Sequence, residues 1–395
     1  MTGTAQRRRA VREFQTVFHV PPDRLVCAPG RLELLGNHTD YNQGLVLAAT
    51  LDRSLTVAVA KRKDRQLRLH SEAFPEADVV LRSSRDRGLP RGHWTGFVLA
   101  LLRILEREGL CAGGWNLSIS ASLPPGGGLS SSAALLVATA IAIGHLPDRT
   151  AAQRLRIAKL CQAAEHRVGV PCGLLDYLAI LHGKPGHAVR LDLQSCTIRT
   201  LRWPHNLALV VIDSGVPHRL AEGGYRRIEK ACRGAARALG VDSLRKAKTA
   251  DLDSLPPDSM RPLRADEREA ALHVLSENDR VRRASQALVA GGARALGRHF
   301  SASHSSSRDR LRNSTPELDD WVTRCASAPG WLGARLTGGG FGGMTVHLVR
   351  AARRAEFLKQ LPAGTHAFAA RLGGGVEVFL RSEGMKKFAY VLERK

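Results

Sequence analysis

The feature that most constrains this chain is a glycine-rich junction between a strand pattern and a helix pattern. Residues 115–144 read "WNLSISASLPPGGGLSSSAALLVATAIAIG", in which three adjacent glycines separate an alternating stretch from a long apolar one. Glycines without Cβ atoms let backbone N–H groups approach an anion closely, and the N-terminus of a buried helix adds its dipole. The junction predicts a phosphate-binding loop, against the alternative of a flexible turn with an N-cap serine.

This loop matches neither of two common nucleotide-binding types. No G-K-S/T follows the glycines, as a Walker A loop would require. A G-x-G-x-x-G turn with an acidic residue about twenty positions further on is also missing. If the loop binds ATP, it must therefore belong to a third type.

Composition indicates a globular chain with two domains or one elaborated domain. The chain has 395 residues, of which 44% are hydrophobic, and no apolar run is long enough for a membrane span. The basic N-terminus lacks the apolar segment of a secretory signal. Seven scattered cysteines without a C-x-x-C pair indicate reduced thiols. We expect a cytoplasmic monomer with no membrane partner.

The formal net charge of +23 permits two interpretations. One is a protein that binds nucleic acid or another polyanion. The other is an arginine-rich chain with a small anionic substrate. Basic residues are spread along the whole chain, and only 5% of residues are aromatic, so stacking platforms for bases are scarce. We favour the second interpretation and expect no specific nucleic-acid partner.

Strand and helix patterns alternate irregularly along the chain. Alternating segments such as "LTVAVAKR" and "LALVVIDSG" predict strands, whereas "HWTGFVLALLRILEREGL" has apolar residues at helical spacing. This mixture predicts an α+β fold with two lobes, residues 1–190 and 191–395. The serine-rich segment 301–314, "SASHSSSRDRLRNS", predicts a mobile loop.

Three separated motifs resemble the GHMP kinases, the superfamily of galactokinase, homoserine kinase, mevalonate kinase and phosphomevalonate kinase. The motifs are "APGRLELLGNHTDYNQG", "LPPGGGLSSSAAL" and "LTGGGFGGM", and the first is similar to the galactokinase family in particular. Further similar segments, among them "CQAAEH", "VPCGLLDYLA" and "DSGVPH", extend the resemblance over nearly the whole chain. It implies a two-lobed α+β kinase with the active site in the cleft between the lobes.

The resemblance implies that the cofactors are ATP and Mg²⁺. The implied nucleotide site comprises Gly126, Gly127, Gly128, Leu129, Ser130, Ser131, Ser132 and Trp94. Trp94 would form an aromatic wall for adenine, although taken alone it would be interpreted as a core residue. Ser132 and Glu165 would hold the metal, and a carboxylate oxygen suits a hard cation. Without the resemblance, Glu165 would be a solvated helix residue.

Asp176 and Arg31 are the catalytic residues that the resemblance implies. Asp176 lies at the apolar start of a helix, where an unpaired carboxylate would be costly, and Arg31 is its expected partner. Asp176 would accept the proton of a sugar hydroxyl or orient it, and Arg31 would offset charge on the moving phosphoryl group. A buried structural salt bridge is the open alternative for this pair.

The implied reaction is ATP-dependent phosphorylation of the anomeric hydroxyl of a monosaccharide, galactose first. The implied sugar-binding residues are Glu33, Asn37, His38, Asp40, Gly173 and Tyr225. Mannose or another hexose, a uronic acid and an N-acetylhexosamine are alternative substrates. A non-catalytic sugar sensor and a kinase for a non-sugar such as mevalonate are the alternative functions.

This chain departs from the galactokinase pattern at two places. Galactokinases usually carry Asn at the position of Glu33 and Glu at the position of Asn37, so the two residue types are exchanged here. Tyr177 replaces the glutamine that usually follows the catalytic aspartate. The exchange is either a compensated swap, in which the two side chains still bond, or a change of sugar specificity.

Overall fold

The computed structural model describes residues 3–75, 78–82, 84, 88, 90, 93–123, 128–217, 221–253, 262–381 and 390–392. Gly126 and Gly127 of the predicted nucleotide loop lie outside these ranges. The helices within them are α1 (Gly3–Phe18), α2 (Trp94–Arg107), α3 (Ser131–Gly144), α4 (Ala151–Arg167), α5 (Leu175–His182), α6 (Ala221–Ala238), α7 (Ala265–Val289), α8 (Ala293–Ser306), α9 (Pro316–Arg324) and α10 (Arg354–Lys359).

The strands are mostly short, apart from the first two. They are β1 (Arg24–Leu35), β2 (Leu45–Arg62), β3 (Leu67–Ser71), β4 (Val79–Leu81), β5 (Gly114–Ala121), β6 (His187–Asp192), β7 (Thr197–Arg202), β8 (Leu207–Asp213), β9 (Trp331–Thr337), β10 (Met344–Arg350), β11 (Ala367–Ala370), β12 (Glu377–Arg381) and β13 (Tyr390–Leu392).

Two sheets organise the described part of the chain. A nine-stranded sheet has the order β13-β12-β1-β2-β5-β3-β4, and the hairpin β6–β7 joins it through β2. Its strand pairs are antiparallel except for β3 with β5. A four-stranded antiparallel sheet has the order β11-β8-β10-β9. The first sheet contains strands from both sides of residue 190, so the domain boundary there stays a prediction.

Helix α3 is buried along almost its whole length. Every residue from Ala133 to Gly144 is inaccessible to solvent or nearly so, and the helix packs on β1, β2, α2 and α4. A helix that is apolar on all sides is stable only in such surroundings. Burial of α3 fixes its N-terminus, and with it the serines of the predicted phosphate loop, against the end of β1.

The prediction of a mobile loop at residues 301–314 is wrong. Its first half belongs to α8, and residues 307–311 continue as one turn of π-helix. Ser303 is buried and donates a hydrogen bond to Glu277 Oε1 at 2.7 Å, while buried Ser307 donates to Asn37 Oδ1 at 3.1 Å. These serines satisfy buried acceptors, whereas composition alone gives serine a surface role.

Two expectations from composition can be compared with the structure. All seven cysteines are free thiols. Among the residues that the structure describes, every helix is too short or too polar to span a bilayer.

Candidate active site

A cavity of about 330 Å³ lies where the two sheets approach each other. Its walls come from β1, the turn after β1, the N-termini of α3 and α5, the end of α4, helix α6 and the turn between β9 and β10. The predicted site residues that border it are Arg31, Glu33, Asn37, His38, Asp40, Gly128, Ser130, Ser131, Ser132, Glu165, Gly173, Asp176 and Tyr225. The structure thus brings together residues that are spread over almost two hundred positions of the sequence.

Arg31 and Asp176 form an ion pair at the centre of this cavity. Arg31 Nε donates to Asp176 Oδ1 at 2.6 Å, and Arg31 Nη1 donates to the Gly128 carbonyl at 2.7 Å. Burial opposes the charge of Arg31, but Asp176 raises the pKa of the guanidinium above its ordinary value. Ser130 Oγ donates to Asp176 Oδ2 at 2.6 Å. Each carboxylate oxygen of Asp176 therefore has a donor that orients it.

Ser130 does not cap helix α3, although it occupies the N-cap position. Its backbone is left-handed, with φ 59° and ψ 45°, and its side chain makes no capping bond but donates to Asp176 instead. The first N–H groups of an α-helix have no partner within the helix. At α3 these groups lie beside Ser131 and Ser132, both of which border the cavity. This geometry offers N–H donors and a positive dipole end to an anion.

Glu165 approaches the same helix end from α4. It is buried, and its carboxylate accepts hydrogen bonds from the Tyr177 hydroxyl and from Ser132. Burial raises the pKa of Glu165, and these two donors partly oppose the rise. Tyr177 also contacts the Cys172 thiol at 3.3 Å. Tyr177, the residue that departs from the family pattern, therefore positions the predicted metal ligand.

His38 is held as a neutral imidazole between protein partners. Burial lowers its pKa to about 3. Its Nε2 donates to the Gly339 carbonyl at 3.2 Å, so Nδ1 accepts from the Tyr41 hydroxyl at 2.7 Å. Tyr225 packs on the other side, with its ring centroid 4.9 Å from that of His38. A ligand hydroxyl at His38 would share or replace one of these bonds.

Asp40 and Gly173 fit closely against each other. A Cβ at residue 173 would lie 2.1 Å from Asp40 Oδ2, so any larger residue would displace the Asp40 carboxyl. The backbone N–H groups of Gly173 and Tyr41 donate hydrogen bonds to Asp40. Burial, followed by the nearby charges of Asp176 and Glu33, nevertheless raises the pKa of Asp40 to about 7. Near neutral pH this carboxyl can therefore either donate or accept a hydrogen bond.

Glu33 and Asn37, the exchanged pair, contact each other. Asn37 Nδ2 donates to Glu33 Oε1 at 3.3 Å. Arg335 of β9, which is fully buried, donates to the same oxygen from Nη2 at 3.0 Å. Burial raises the pKa of Glu33, and the charges of Arg335 and Arg31 oppose this rise. The hydrogen bond between the exchanged types is present, as the compensated swap requires.

Of the predicted nucleotide-site residues that the structure describes, two do not border the cavity. Leu129 is buried, and its carbonyl accepts a hydrogen bond from Arg31 N at 3.1 Å. Trp94 begins α2 and packs half-buried against the core, and its Nε1 has no partner within the described ranges. Its role as an adenine wall stays a prediction.

Arg335, Ser307 and Asn313 were not predicted from the sequence. Their side chains donate hydrogen bonds to the exchanged pair, Arg335 to Glu33 and the other two to Asn37. Arg335 had a readable signal, because a cation inside the apolar strand pattern "WLGARLT" requires a buried partner. Ser307 and Asn313 had none, because they lie in the stretch interpreted as a loop. The turn at Gly338 and Gly339 belongs to the third motif, which carried no assigned role.

Comparison with known proteins decides the family. The chain matches the profiles described as "Galactokinase galactose-binding signature" at residues 12–61, "GHMP kinases N terminal domain" at 96–184 and "GHMP kinases C terminal" at 284–366. It is 38% identical to the galactokinase of Chloroflexus aggregans over 381 residues, which cover 94% of each chain. It is also 38% identical to that of Homo sapiens, covering 90% of this chain and 91% of the other.

The chain belongs to the galactokinase family.

The solved structures agree with this assignment. The galactokinase of Lactococcus lactis, whose crystal structure contains galactose, superposes with a TM-score of 0.84 and 26% identity over 93% of this chain and 98% of the other. The predictions of family, of a two-lobed α+β kinase fold and of a sugar kinase are thereby confirmed. The galactokinase signature, residues 12–61, includes β1 and most of β2, and it therefore contains Arg31, Glu33 and Asn37.

Proposed function

We propose that this protein transfers the γ-phosphoryl group of ATP to the anomeric hydroxyl of galactose, forming galactose 1-phosphate. The observation that carries the proposal is the Arg31–Asp176 ion pair, which borders one cavity together with the uncapped N-terminus of α3. The cavity thus combines an acceptor for a hydroxyl proton with donors for a phosphate. Curated galactokinases at 38% identity support galactose as the sugar.

The described residues divide the reaction between them. Asp176, oriented by Arg31 and Ser130, accepts the hydrogen of the attacking hydroxyl or aligns that hydroxyl with the phosphorus. Arg31 keeps its charge beside this carboxylate and offsets negative charge on the phosphoryl group as it moves. The first N–H groups of α3 hold phosphate oxygens, since they have no partner in the helix. Ser130 contacts Asp176 and directly precedes the first residue of α3, so the proposed sites for the nucleophile and the phosphate adjoin at Ser130.

The side chains at the end of α4 fit a magnesium ion. Glu165 and Ser132 supply oxygen atoms, which Mg²⁺ prefers. No cluster of three or more His, Cys, Asp or Glu side chains suited to a metal occurs among the described residues. This set suits a cation held by one or two protein oxygens together with substrate phosphates and water. Bound there, magnesium would neutralise charge on the ATP phosphates.

Carboxyl groups in the cavity favour a neutral sugar over a uronic acid. Glu33, Asp40 and Asp176 all border the cavity, and their mutual repulsion contributes to the raised pKa of Asp40. A substrate carboxylate would add a further negative charge to this group. We therefore place neutral hexoses ahead of uronic acids as substrates. Arg31, Asp176 and Ser130 are all present in bonded geometry, which favours an enzyme over a sugar sensor.

Turnover with ATP and Mg²⁺ on a panel of free sugars tests the proposal. We expect galactose to be phosphorylated faster than mannose, glucuronate or N-acetylgalactosamine, and ³¹P NMR to show a sugar 1-phosphate. The Asp176→Ala variant should lose this activity but retain galactose binding in calorimetry. Binding without turnover in the unmodified protein would support the sensor, and preferred turnover of another sugar would replace galactose.

A further inference from the structure

The hydrogen-bonding capacity of Asn37 is used up within the protein. Its Nδ2 donates to Glu33 Oε1 at 3.3 Å and to the Gly338 carbonyl at 2.8 Å. Its Oδ1 accepts from Ser307 Oγ at 3.1 Å and from Asn313 Nδ2 at 2.9 Å. A side-chain amide has two N–H donors and two lone pairs on its oxygen, and all four are occupied here. Asn37 borders the cavity but has no capacity left for a ligand.

Glu33, unlike Asn37, retains hydrogen-bond acceptor capacity that the described residues do not use. Its Oε1 accepts from both Arg335 and Asn37, whereas no described residue donates a hydrogen bond to Oε2. The side chain borders the cavity and is 7% exposed. Arg335 and Asn37 thus fix the carboxylate by one oxygen, and the other oxygen has no donor within the part of the chain that the structure describes. An acceptor fixed in this way is well suited to a donor from a ligand.

We infer that Glu33 is the residue of the exchanged pair that selects the sugar, accepting a hydrogen bond from one substrate hydroxyl through Oε2, and that Asn37 only positions it. The inference rests on the proposed function and deepens it, because it assigns the discrimination to one residue and one kind of group. The exchange then relocates the carboxylate by four positions along the chain and reverses the Asn–Glu hydrogen bond, while a carboxylate still faces the cavity.

The physical reason for selectivity is the cost of leaving this oxygen unpaired. A buried acceptor that loses its donor costs more than the bond contributes, so a site built around a hydroxyl rejects analogues that lack it. Arg335 strengthens the effect because it holds the carboxylate in place and keeps its charge partly compensated. Sugars that present no hydroxyl at Oε2 should therefore bind and react poorly.

The test compares galactose with its singly deoxygenated analogues at C2, C3, C4 and C6. We would measure kcat/KM with ATP, and sugar binding by calorimetry, for the unmodified protein and for Glu33→Gln. This variant keeps the volume and an Oε1 that can accept from Asn37 and Arg335, but it replaces the acceptor at Oε2 with a donor. Hydrogen bonds to charged groups predict a loss on galactose of about 10- to 100-fold in kcat/KM.

The decisive result is the pattern across the analogues. For one deoxy sugar the ratio between unmodified protein and Glu33→Gln should fall to about one, and for the others it should stay as large as on galactose. An equal ratio on every analogue, or no loss on galactose, would overturn the inference. If Glu33→Gln does not fold, the double variant Glu33→Met/Arg335→Met removes both buried charges together and serves the same comparison.

A matched control distinguishes a loss of protein stability from a change of sugar selectivity. Ser307→Ala removes one donor to Asn37 from the side away from the cavity, so it should lower the Tm but leave the pattern across the sugars unchanged. Failure of the proposed function has a different signature. If galactose binds but is not phosphorylated, the binding affinities of the deoxy sugars for the unmodified protein and for Glu33→Gln still test the role of Glu33. If none of the sugars binds, both proposals are wrong.

Discussion

The hydroxyl of Ser130 donates a 2.6 Å hydrogen bond to the carboxylate of Asp176, so the residue at the N-cap of α3 also orients the proposed catalytic acceptor. This single bond connects the phosphate end of the cavity with the hydroxyl end. The Ser130 side chain donates to Asp176 and accepts no hydrogen bond from the first N–H groups of the helix, so α3 has no side-chain cap. The uncapped amides and the oriented carboxylate therefore adjoin at Ser130.

Ser130→Ala should therefore lower kcat while leaving the KM for the sugar nearly unchanged. Loss of a hydrogen bond to a charged group predicts a decrease of about 10- to 100-fold, because Asp176 would be oriented by Arg31 alone. Steady-state kinetics with ATP and galactose measures this. Ser195→Ala, in an exposed turn, is the control and should have no effect. A large rise in the sugar KM without a change in kcat would contradict the assigned role.

Gly173→Ala should impair sugar binding through Asp40. The new Cβ would meet Asp40 Oδ2 at 2.1 Å, so the carboxyl must move out of its position. We expect the KM for the sugar to rise about tenfold or more, with a smaller change in the KM for ATP. Gly223→Ala on α6 is the matched control, because a Cβ there meets nothing within 4 Å. Equal effects of the two variants would contradict this prediction.

Asp40 should make the sugar-free protein less stable as the pH rises. Its pKa is about 7 in the folded state against an ordinary value of 3.8, so the folded state binds the proton more tightly. The favourable contribution is complete below pH 4 and is lost progressively as the pH rises to 7. Asp40→Asn should remove this part of the slope, so its Tm relative to the unmodified protein should increase between pH 4 and pH 8. Parallel Tm curves would contradict the assignment.

Tyr177→Phe should weaken the use of magnesium. The variant removes the hydroxyl that donates to Glu165 but keeps the buried ring. Loss of a residue that orients a metal ligand predicts a rise of about 10- to 100-fold in the Mg²⁺ concentration needed for half-maximal activity. At saturating Mg²⁺ the kcat should recover, which distinguishes loss of positioning from loss of fold. An unchanged Mg²⁺ requirement would show that Tyr177 only packs.

Much of the proposed chemistry could be predicted from local patterns. The glycine–serine junction identified the loop because only a few residue types allow a backbone to approach an anion. The Arg31–Asp176 pair followed from the family resemblance and from the cost of an unpaired carboxylate in apolar surroundings. The contact between Glu33 and Asn37 was anticipated as one of two alternatives. The loop and the Glu33–Asn37 contact depend on residue type and short spacing, whereas the Arg31–Asp176 pair, 145 positions apart, needed the family resemblance.

Contacts between distant segments had to come from the structure. Ser307 and Asn313 lie about 270 positions from Asn37 and yet occupy both lone pairs of its amide oxygen. Nothing in a serine-rich stretch shows whether its hydroxyls face water or satisfy a buried acceptor, so the loop prediction failed. Trp94 packs half-buried against the core, as its residue type alone indicated, and its role toward adenine stays a prediction.

The sequence by itself determined the family, the fold class and the types of residue at the site, because these depend on composition, periodicity and motifs. Only the tertiary structure decided which member of the exchanged pair keeps an oxygen to which none of the described residues donates. That choice depends on where Arg335, Gly338, Ser307 and Asn313 place their donors and acceptors around Glu33 and Asn37. Hydrogen bonds act over about 3 Å, and chain folding alone brings such atoms to that distance.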